Sequence, residues 1–401
     1  KYPKYNQFNS KQFFDKLSAI DLLFNYGKQS KKILLSNNLT KNAYLKSWMA
    51  SFKIENRTIG DNHPAFIIAE VGANHNGDIN LALELISKAK KSGADCVKFQ
   101  TYTPSECLSE DKEFEYYSNG KKITESEFDL LNRLALKESD WKIIKNHCKK
   151  ENIIFMTTIQ DEVDLDLMMK LGLSSIKKGS DDFNYIPNLI NVAKTGLPII
   201  LSKGMASEEE VDKVVKTLVP INNKISIMHC VSVYPAKSEL LNLNQILTLK
   251  KKYPEIVWGY SDHSIGTLAC SVAVALGAKV IEKHYTLDKK LDGPDHWFSS
   301  DPDELKKLVD DIRNTEKSMG SGKIEVTKDE LKSREIMRRK IVAKKNINEG
   351  DILSLDNVSF KRSVSGIDVS KWDKIRGSKA KKSIKINSGI TEDKVNINNE
   401  W

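Results

Sequence analysis

Eight short apolar runs, separated by stretches with helical periodicity, restrict the fold of this sequence more than any other feature. The runs are AFIIAEV (65–71), CVKFQ (96–100), IIFMTT (153–158), SSIKK (174–178), LPIILS (197–202), ISIMHC (225–230), IVWGYS (256–261) and KVIEKHY (279–285). Stretches such as LALELISKAKKSG and TLACSVAVALGA lie between them, and several end on glycine, a common helix terminator. Strands that alternate with helices form parallel βαβ units, so eight of them predict an α/β chain with a (β/α)8 TIM barrel.

An open doubly wound sheet is the alternative, but the Gly-containing turn VGANHNG lacks the dinucleotide-binding fingerprint. We assign residues 53–322 to the barrel domain and residues 1–52 to a Lys/Asn-rich N-terminal extension of unknown role. Residues 323–340 are polar and predict a linker. Residues 341–401 predict a small β-rich domain, because KIVAKKNINEGDILSLDNVSFKR and KAKKSIKINSGITEDKV each join a strand to a Gly-containing turn.

The net charge of +9 lies at the ends of the chain rather than on the predicted barrel. Residues 1–53 hold ten lysines against two acidic residues, whereas the middle of the chain is slightly acidic. A nucleic-acid reader shows a basic stripe on its folded domain, so we expect no nucleic-acid partner. No apolar run approaches the roughly 18 to 20 residues of a membrane span, and we expect a cytoplasmic protein with five reduced cysteines.

Polar side chains occupy the C-terminal end of every predicted strand. In a barrel these ends form the active-site mouth. The residues are Glu70, Lys98, Gln100, Thr157, Thr158, Lys177, Lys178, Ser180, Ser202, His229, Cys230, Ser261, Asp262, His263, Lys283 and His284. Lysines together with Ser and Thr hydroxyls suit a phosphate-bearing anion. Polar groups at a closed mouth are costly to bury without a partner, so their repetition predicts a binding site.

Two histidines at the ends of consecutive strands predict a metal site. His263 and His284 follow the seventh and eighth runs, which are neighbours in a barrel. Two imidazoles can share one divalent ion and leave open positions for water and a substrate oxygen. The spacing alone does not distinguish Mn²⁺, Co²⁺ and Mg²⁺. Glu70 and the pair Asp181–Asp182 are candidate carboxylates for sugar hydroxyls or proton transfer.

Seven motifs, in order, resemble those of the sialic acid synthases. They are IIAEVGANHNGD, GADCVKFQT, GLPIILSKGMAS, HCVSVYP, GYSDHS, VIEKHYTLD and GPDHWFS. The resemblance runs from about residue 55 to the end and includes a C-terminal antifreeze-like (SAF) domain. Members of this family condense phosphoenolpyruvate with an N-acylated amino sugar in its open aldehyde form. The resemblance therefore implies a transferase.

The resemblance implies roles for individual residues. Those at phosphoenolpyruvate-binding positions are Lys98, Gln100, Thr158, Lys177, Ser180, Ser202 and Ser261. Glu70, Tyr234 and Asp295 match sugar-binding positions, and His263 and His284 match the metal ligands. Arg362 matches an arginine that reaches the sugar from the partner subunit of a domain-swapped homodimer.

Two positions depart from the family pattern. Asp182 stands where some members have glutamate, with a side chain one methylene shorter, and Ser232 stands where some have asparagine near phosphoenolpyruvate. We keep Glu70, Asp182, His263 and His284 as the catalytic set and Ser232 as a binding residue. The implied cofactor is a divalent ion, with Mn²⁺ ahead of Mg²⁺ and Co²⁺.

The preferred sugar is N-acetylmannosamine, which would give N-acetylneuraminate and phosphate by C–O cleavage. GPDH at 293–296 resembles the neuraminic and legionaminic branch, so the diacetylated sugar that leads to legionaminic acid is the first alternative. Pseudaminic-type sugars come after it. A Schiff-base aldolase is a distant alternative, since Lys98, Lys177, Lys178 and Lys283 offer amines, and a carbohydrate-binding protein without activity is another.

Overall fold

The computed structural model describes residues 50–118 and 120–396, which form two compact units that divide after Gly320. The predicted N-terminal extension lies outside the described residues up to residue 49. The strands, in chain order, are β1 (Ser51–Ile54), β2 (Arg57–Gly60), β3 (Phe66–Gly72), β4 (Cys96–Thr101), β5 (Glu113–Ser118), β6 (Lys121–Ser126), β7 (Ile154–Ile159), β8 (Ile176–Lys178), β9 (Ile199–Ser202), β10 (Ile225–Cys230), β11 (Val257–Asp262), β12 (Val280–His284), β13 (Arg339–Ala343) and β14 (Val358–Arg362).

The helices, in chain order, are α1 (Ile79–Lys91), α2 (Pro104–Cys107), α3 (Glu127–Leu134), α4 (Glu138–Glu151), α5 (Glu162–Leu171), α6 (Ile186–Lys194), α7 (Glu208–Leu218), α8 (Asn244–Lys252), α9 (Leu268–Ala275), α10 (Pro302–Met319), α11 (Lys328–Met337) and α12 (Trp372–Ile375). Several begin at the caps that the sequence supplies. Ser207 and Glu210 form a capping box at α7, and Asp301 caps α10 ahead of Pro302. In the part of the chain that the structure describes, no helix is long and apolar enough to cross a bilayer.

Eight of the strands close into a parallel barrel. Going round it, the order is β3, β4, β7, β8, β9, β10, β11, β12 and back to β3. Every strand therefore neighbours the next of the eight apolar runs, and β12 pairs with β3 to complete the ring. The predicted (β/α)8 barrel is confirmed.

Strict alternation of side chains separates the inside of the barrel from its outer face. Along β12, Val280 packs with the inner cluster and Ile281 with the outer cluster beneath the helices. The inner cluster also contains Phe52, Ile54 and Ile59 of the β1–β2 hairpin. The hairpin thus closes the N-terminal end of the barrel, and the opposite end is left to the polar residues.

A second hairpin, β5–β6, follows β4 at the mouth and was not predicted from the sequence. Its strand β5 contacts the loop after β12, since the Ser118 hydroxyl donates to Asp292 Oδ1 at 3.2 Å. The Gly293 N–H donates to Ser118 Oγ at 3.2 Å. This hairpin therefore supports the loop that carries Asp295.

The smaller unit is β-rich, as predicted. Strands β13 and β14 are antiparallel, and isolated bridges such as Val342–Gly389 and Ile347–Ile384 tie further segments to them. Its buried apolar residues form one core cluster. The core residues are Ile341, Ala343, Ile347, Leu353, Val358, Ile367, Ile375, Ala380, Ile384, Ile390 and Val395. Helix α11 lies within the segment that the sequence assigned to a linker.

Candidate active site

The polar strand ends that project inward meet in the mouth of the barrel, as their positions predicted. The prediction is wrong for five others, which alternate with these and face the outer helices: Thr157, Lys178, His229, Asp262 and Lys283. Lys98 Nζ lies 2.9 Å from Glu70 Oε1 and donates to Thr158 Oγ1 at 2.8 Å. Gln100 Nε2 donates to the same Glu70 oxygen at 3.1 Å. All these residues project inward because they alternate with the apolar residues on β3, β4 and β7. Three neighbouring strands thus contribute to one polar cluster.

A carboxylate that the sequence analysis missed links this cluster to the other side of the mouth. Glu282 lies 3.7 Å from both Lys98 and Lys177, and it accepts a hydrogen bond from the Ser261 hydroxyl at 3.0 Å. Lys177 Nζ in turn donates to Ser202 Oγ at 2.8 Å. The alternation of Val280, Glu282 and His284 along one strand is the signal that would have placed Glu282 inside.

Burial and charge divide the two carboxylates into different roles. Burial raises the pKa of Glu70 above its usual range, although Lys98 acts against it. Burial also acts to raise the pKa of Glu282, but Lys177 and Lys98 outweigh it, so that pKa falls below its usual value. Burial lowers the pKa of Lys177. Glu282 therefore keeps its charge, while Glu70 is the carboxyl that can hold a proton near neutral pH.

The two predicted metal ligands face each other. The ring centroids of His263 and His284 are 5.4 Å apart, with 61° between the planes. His263 Nδ1 lies 2.8 Å from the Val231 carbonyl oxygen, to which it donates, so Nε2 is the nitrogen free to bind a metal. Tyr234 stacks on His263 with centroids 4.0 Å apart.

This pair of imidazoles fits a divalent ion. Burial lowers the pKa of both His263 and His284, so both rings are neutral at pH 7, as metal binding requires. His284 Nδ1 is buried without a hydrogen-bond partner and lies 3.5 Å from Asp295 Oδ2. No group of three or more His, Cys, Asp or Glu side chains that could hold a metal occurs among the described residues. Two protein nitrogens would therefore leave several coordination positions to water and substrate.

Gly204 marks a pocket lined by hydroxyls. The Gly204 N–H donates to Ser180 Oγ at 3.0 Å, and a Cβ at this position would lie 2.6 Å from that oxygen. The same Cβ would lie 2.2 Å from Ser232 Oγ, which is buried without a hydrogen-bond partner. An unpartnered buried hydroxyl close to Ser180 suits an anionic oxygen. Ser232 therefore supplies a hydroxyl where some family members have an amide.

The loop after β12 brings Asp295 into the same space, next to Glu70 and His284. Its Oδ2 atom and the Glu70 carboxylate lie 3.5 and 3.3 Å from where a Cβ on Gly72 would be. Asn74 holds this loop, because its Nδ2 donates to Ser299 Oγ at 3.0 Å, and Ser299 Oγ donates to the Asp295 carbonyl at 2.6 Å. Neither Asn74 nor Ser299 was predicted to contribute.

Asp182 of the predicted catalytic set is not brought into this cluster. Asp182 forms a 2.5 Å ion pair with Lys178, whose Nζ also donates to the carbonyls of Ile159 and Gln160. Lys178 follows the inward-facing Lys177 and so lies on the outer side of the barrel wall. Arg362 lies in β14 of the smaller unit. The roles of Asp182 and Arg362 stay predictions.

Replacing Asp295 with asparagine should stabilise the metal-free protein at neutral pH. Burial raises the pKa of Asp295 to about 6, with Lys98 acting against it. A raised carboxyl pKa stabilises the fold below the unfolded-state pKa, and this stability is lost as the pH rises through 6. We expect Asp295→Asn to gain about 1 to 2 kcal/mol at pH 7.5. Thermal unfolding in chelator should show the gain shrinking towards pH 4.5, and a gain independent of pH would contradict it.

The fold and the site define an enzyme of the TIM-barrel class with a cationic, hydroxyl-lined mouth. The chain belongs to the NeuB family, whose model matches residues 85–324, and a SAF domain matches residues 338–396. It is similar to N,N'-diacetyllegionaminic acid synthase of Campylobacter jejuni subsp. jejuni, with 41% identity over 81% of this chain and 98% of that protein.

Two further similar proteins are named as synthases of sialic acid or its phosphate. N-acetylneuraminate-9-phosphate synthase of Homo sapiens is 36% identical over 76% of this chain and 85% of that protein. The crystal structure of the N-acetylneuraminic acid synthetase from Leptospira borgpetersenii serovar Hardjo-bovis is 37% identical, with a TM-score of 0.65 over 73% of this chain and 99% of that one. The chain is thus a transferase-type enzyme of the nonulosonic acid synthases.

Proposed function

We propose that this enzyme condenses phosphoenolpyruvate with an N-acyl amino sugar in its open aldehyde form and releases phosphate. The observation that carries the proposal is the mouth itself. The buried Lys98 and Lys177, together with a set of hydroxyls, lie at the same end of the barrel as two neutral imidazoles. The centroids of these imidazole rings are 5.4 Å apart. An anionic phosphate and an aldehyde oxygen need these two environments next to each other.

The residues of the chain divide the work. Lys98 and Lys177 neutralise the phosphate, and Ser180, Ser202 and Ser232 donate hydrogen bonds to it. His263 and His284 would hold a divalent ion, for which Mn²⁺ is the first candidate. When bound, this ion would supply Lewis acidity for the sugar aldehyde. Because these groups are fixed by strands, the two substrates meet in one geometry without further ordering.

Glu70 and Asp295 are the proposed contacts to the sugar. Both carboxylates line the space beside Gly72, where Glu70 also pairs with Lys98. Burial raises the pKa of each, so each can donate a hydrogen bond as well as accept one near neutral pH. Sugar hydroxyls, which both donate and accept, suit such groups.

We propose two candidate sugar substrates. N-acetylmannosamine, which gives N-acetylneuraminate, is the first choice from the motifs. The diacetylated sugar that leads to legionaminic acid is an equal candidate, because identity to the Campylobacter legionaminic synthase is 41%, against 36% for the human enzyme.

A phosphate-release assay over a panel of amino hexoses tests both forms. We expect release only with phosphoenolpyruvate, an N-acyl mannose-type sugar and divalent metal, and loss of release in chelator. Borohydride trapping with pyruvate is the matching test of the aldolase alternative, which is favoured by the lowering of the Lys177 pKa through burial. A covalent adduct without phosphate release would overturn the synthase proposal.

We further propose that the enzyme is a domain-swapped homodimer in which Arg362 reaches the partner's barrel. Mixing inactive Arg362→Ala and His284→Ala chains should then restore activity, because one barrel per mixed dimer receives both intact residues. The expected maximum is about one quarter of wild-type activity, since half the dimers are mixed and each has one intact site. No recovery after dissociation and reassociation would contradict the swap.

A further inference from the structure

A buried ion pair lies directly behind the two predicted metal ligands. Strands β11 and β12 are in register at Asp262 and Lys283, and their side chains form a 2.8 Å ion pair. His263 follows Asp262 and His284 follows Lys283 in the sequence. Because side chains alternate along a strand, the ion pair faces the outer helices while both imidazoles face the mouth.

Four donors hold the carboxylate of Asp262 in place. The Tyr260 hydroxyl and the Ser264 N–H donate to Oδ1 at 3.0 and 2.8 Å, while Cys270 Sγ and Lys283 Nζ donate to Oδ2 at 3.3 and 2.8 Å. Lys283 Nζ also donates to the Ser264 carbonyl oxygen. The residues on both sides of His263 are therefore tied to the residue that precedes His284.

This arrangement does more than fill space. A buried ion pair adds little net stability compared with apolar residues of the same size, because both charges lose their hydration. What it supplies is a fixed distance between two strand ends, since a buried charged pair held by several hydrogen bonds is restricted to a narrow range of geometry. The two strand ends so fixed are those that carry the imidazoles.

We propose that Asp262 and Lys283 are positioning residues that set the spacing of His263 and His284 and thereby the affinity for the divalent ion. The inference rests on the proposed metal site. Neither residue touches the ion or the substrate, because both lie outside the barrel wall. Groups that orient metal ligands from behind typically change metal affinity by 10- to 100-fold when they are replaced.

The test uses the double variant Asp262→Asn/Lys283→Met, which removes both charges and leaves neither buried alone. Binding of Mn²⁺ alone is followed by the EPR signal of the free ion, in parallel with thermal unfolding. We expect a melting temperature close to that of the wild type and a Kd for Mn²⁺ raised about 10-fold or more. The matched control is Asp95→Asn/Arg313→Met, a half-buried 3.2 Å ion pair at the other end of the barrel, which should leave the Kd unchanged.

The outcomes separate this inference from the proposed function. Wild-type affinity in the double variant would overturn the positioning role while leaving the metal site intact. A wild-type protein that binds no Mn²⁺ would overturn the metal site and the inference together. If the double variant does not fold, Tyr260→Phe decides, because it removes only the hydrogen bond to Asp262 Oδ1. A severalfold rise in its Kd supports the role, and an unchanged Kd contradicts it.

Discussion

Replacing His284 with alanine should reduce phosphate release at least about a thousandfold, even at saturating metal. The imidazole is one of only two proposed protein ligands, and Lewis-acid stabilisation is worth several kcal/mol, each 1.36 kcal/mol being tenfold in rate. Stability should change little, because the lost packing is offset by removing a buried Nδ1 atom that has no hydrogen-bond partner. Steady-state phosphate release and thermal unfolding measure the two effects.

The control is His147→Asn on helix α4. Its ring bonds to Ser87 of helix α1 at 2.9 Å, in the outer layer of helices. It should keep wild-type turnover. Near-normal activity of His284→Ala with metal present would show that the imidazole pair is not the metal site, whatever the family resemblance.

Replacing Lys177 with methionine should lower kcat/KM for phosphoenolpyruvate by about 100- to 1,000-fold. A buried charge-assisted hydrogen bond to phosphate is worth about 1.5 to 3 kcal/mol, and loss of charge neutralisation adds to it. The variant should also leave Glu282 with Lys98 as its remaining lysine partner, so the pKa of Glu282 should rise. Initial rates at varied phosphoenolpyruvate give the ratio directly.

Lys142→Met, at an exposed position on α4, is the matched control and should behave as wild type. The apparent affinity for the sugar should change far less than that for phosphoenolpyruvate in Lys177→Met. Equal losses for both substrates would mean that Lys177 maintains the shape of the mouth and does not bind the phosphate.

Much of this architecture could be predicted, because the spacing of apolar residues along the sequence indicates which residues are buried. The eight apolar runs predicted the barrel strands, and the position of His263 and His284 at consecutive strand ends predicted that the rings would meet. Glu282 was missed because a charge within an apolar run looks like the end of the strand until the register is known. Its inward direction follows only once Val280 and His284 are placed on the same face.

Other features depend on contacts between segments that are distant in the sequence. The β5–β6 hairpin consists of short polar strands, for which the periodicity signal is weak. The ion pair between Lys178 and Asp182 could not be predicted from the sequence, because it depends on whether Lys177 or Lys178 faces the outer helices. A motif gives the residue type at a position but not the direction of its side chain.

The five residues of β12 contribute to both sides of the barrel wall, with Glu282 and His284 inside and Lys283 outside. Deleting a single residue upstream in this strand would exchange the two sets, sending an ammonium into the cavity and an imidazole beneath the helices. We therefore expect changes in the length of this segment to be as damaging as changes in its side chains. Insertions and deletions that alter substrate preference should accumulate in the connecting loops and spare this strand.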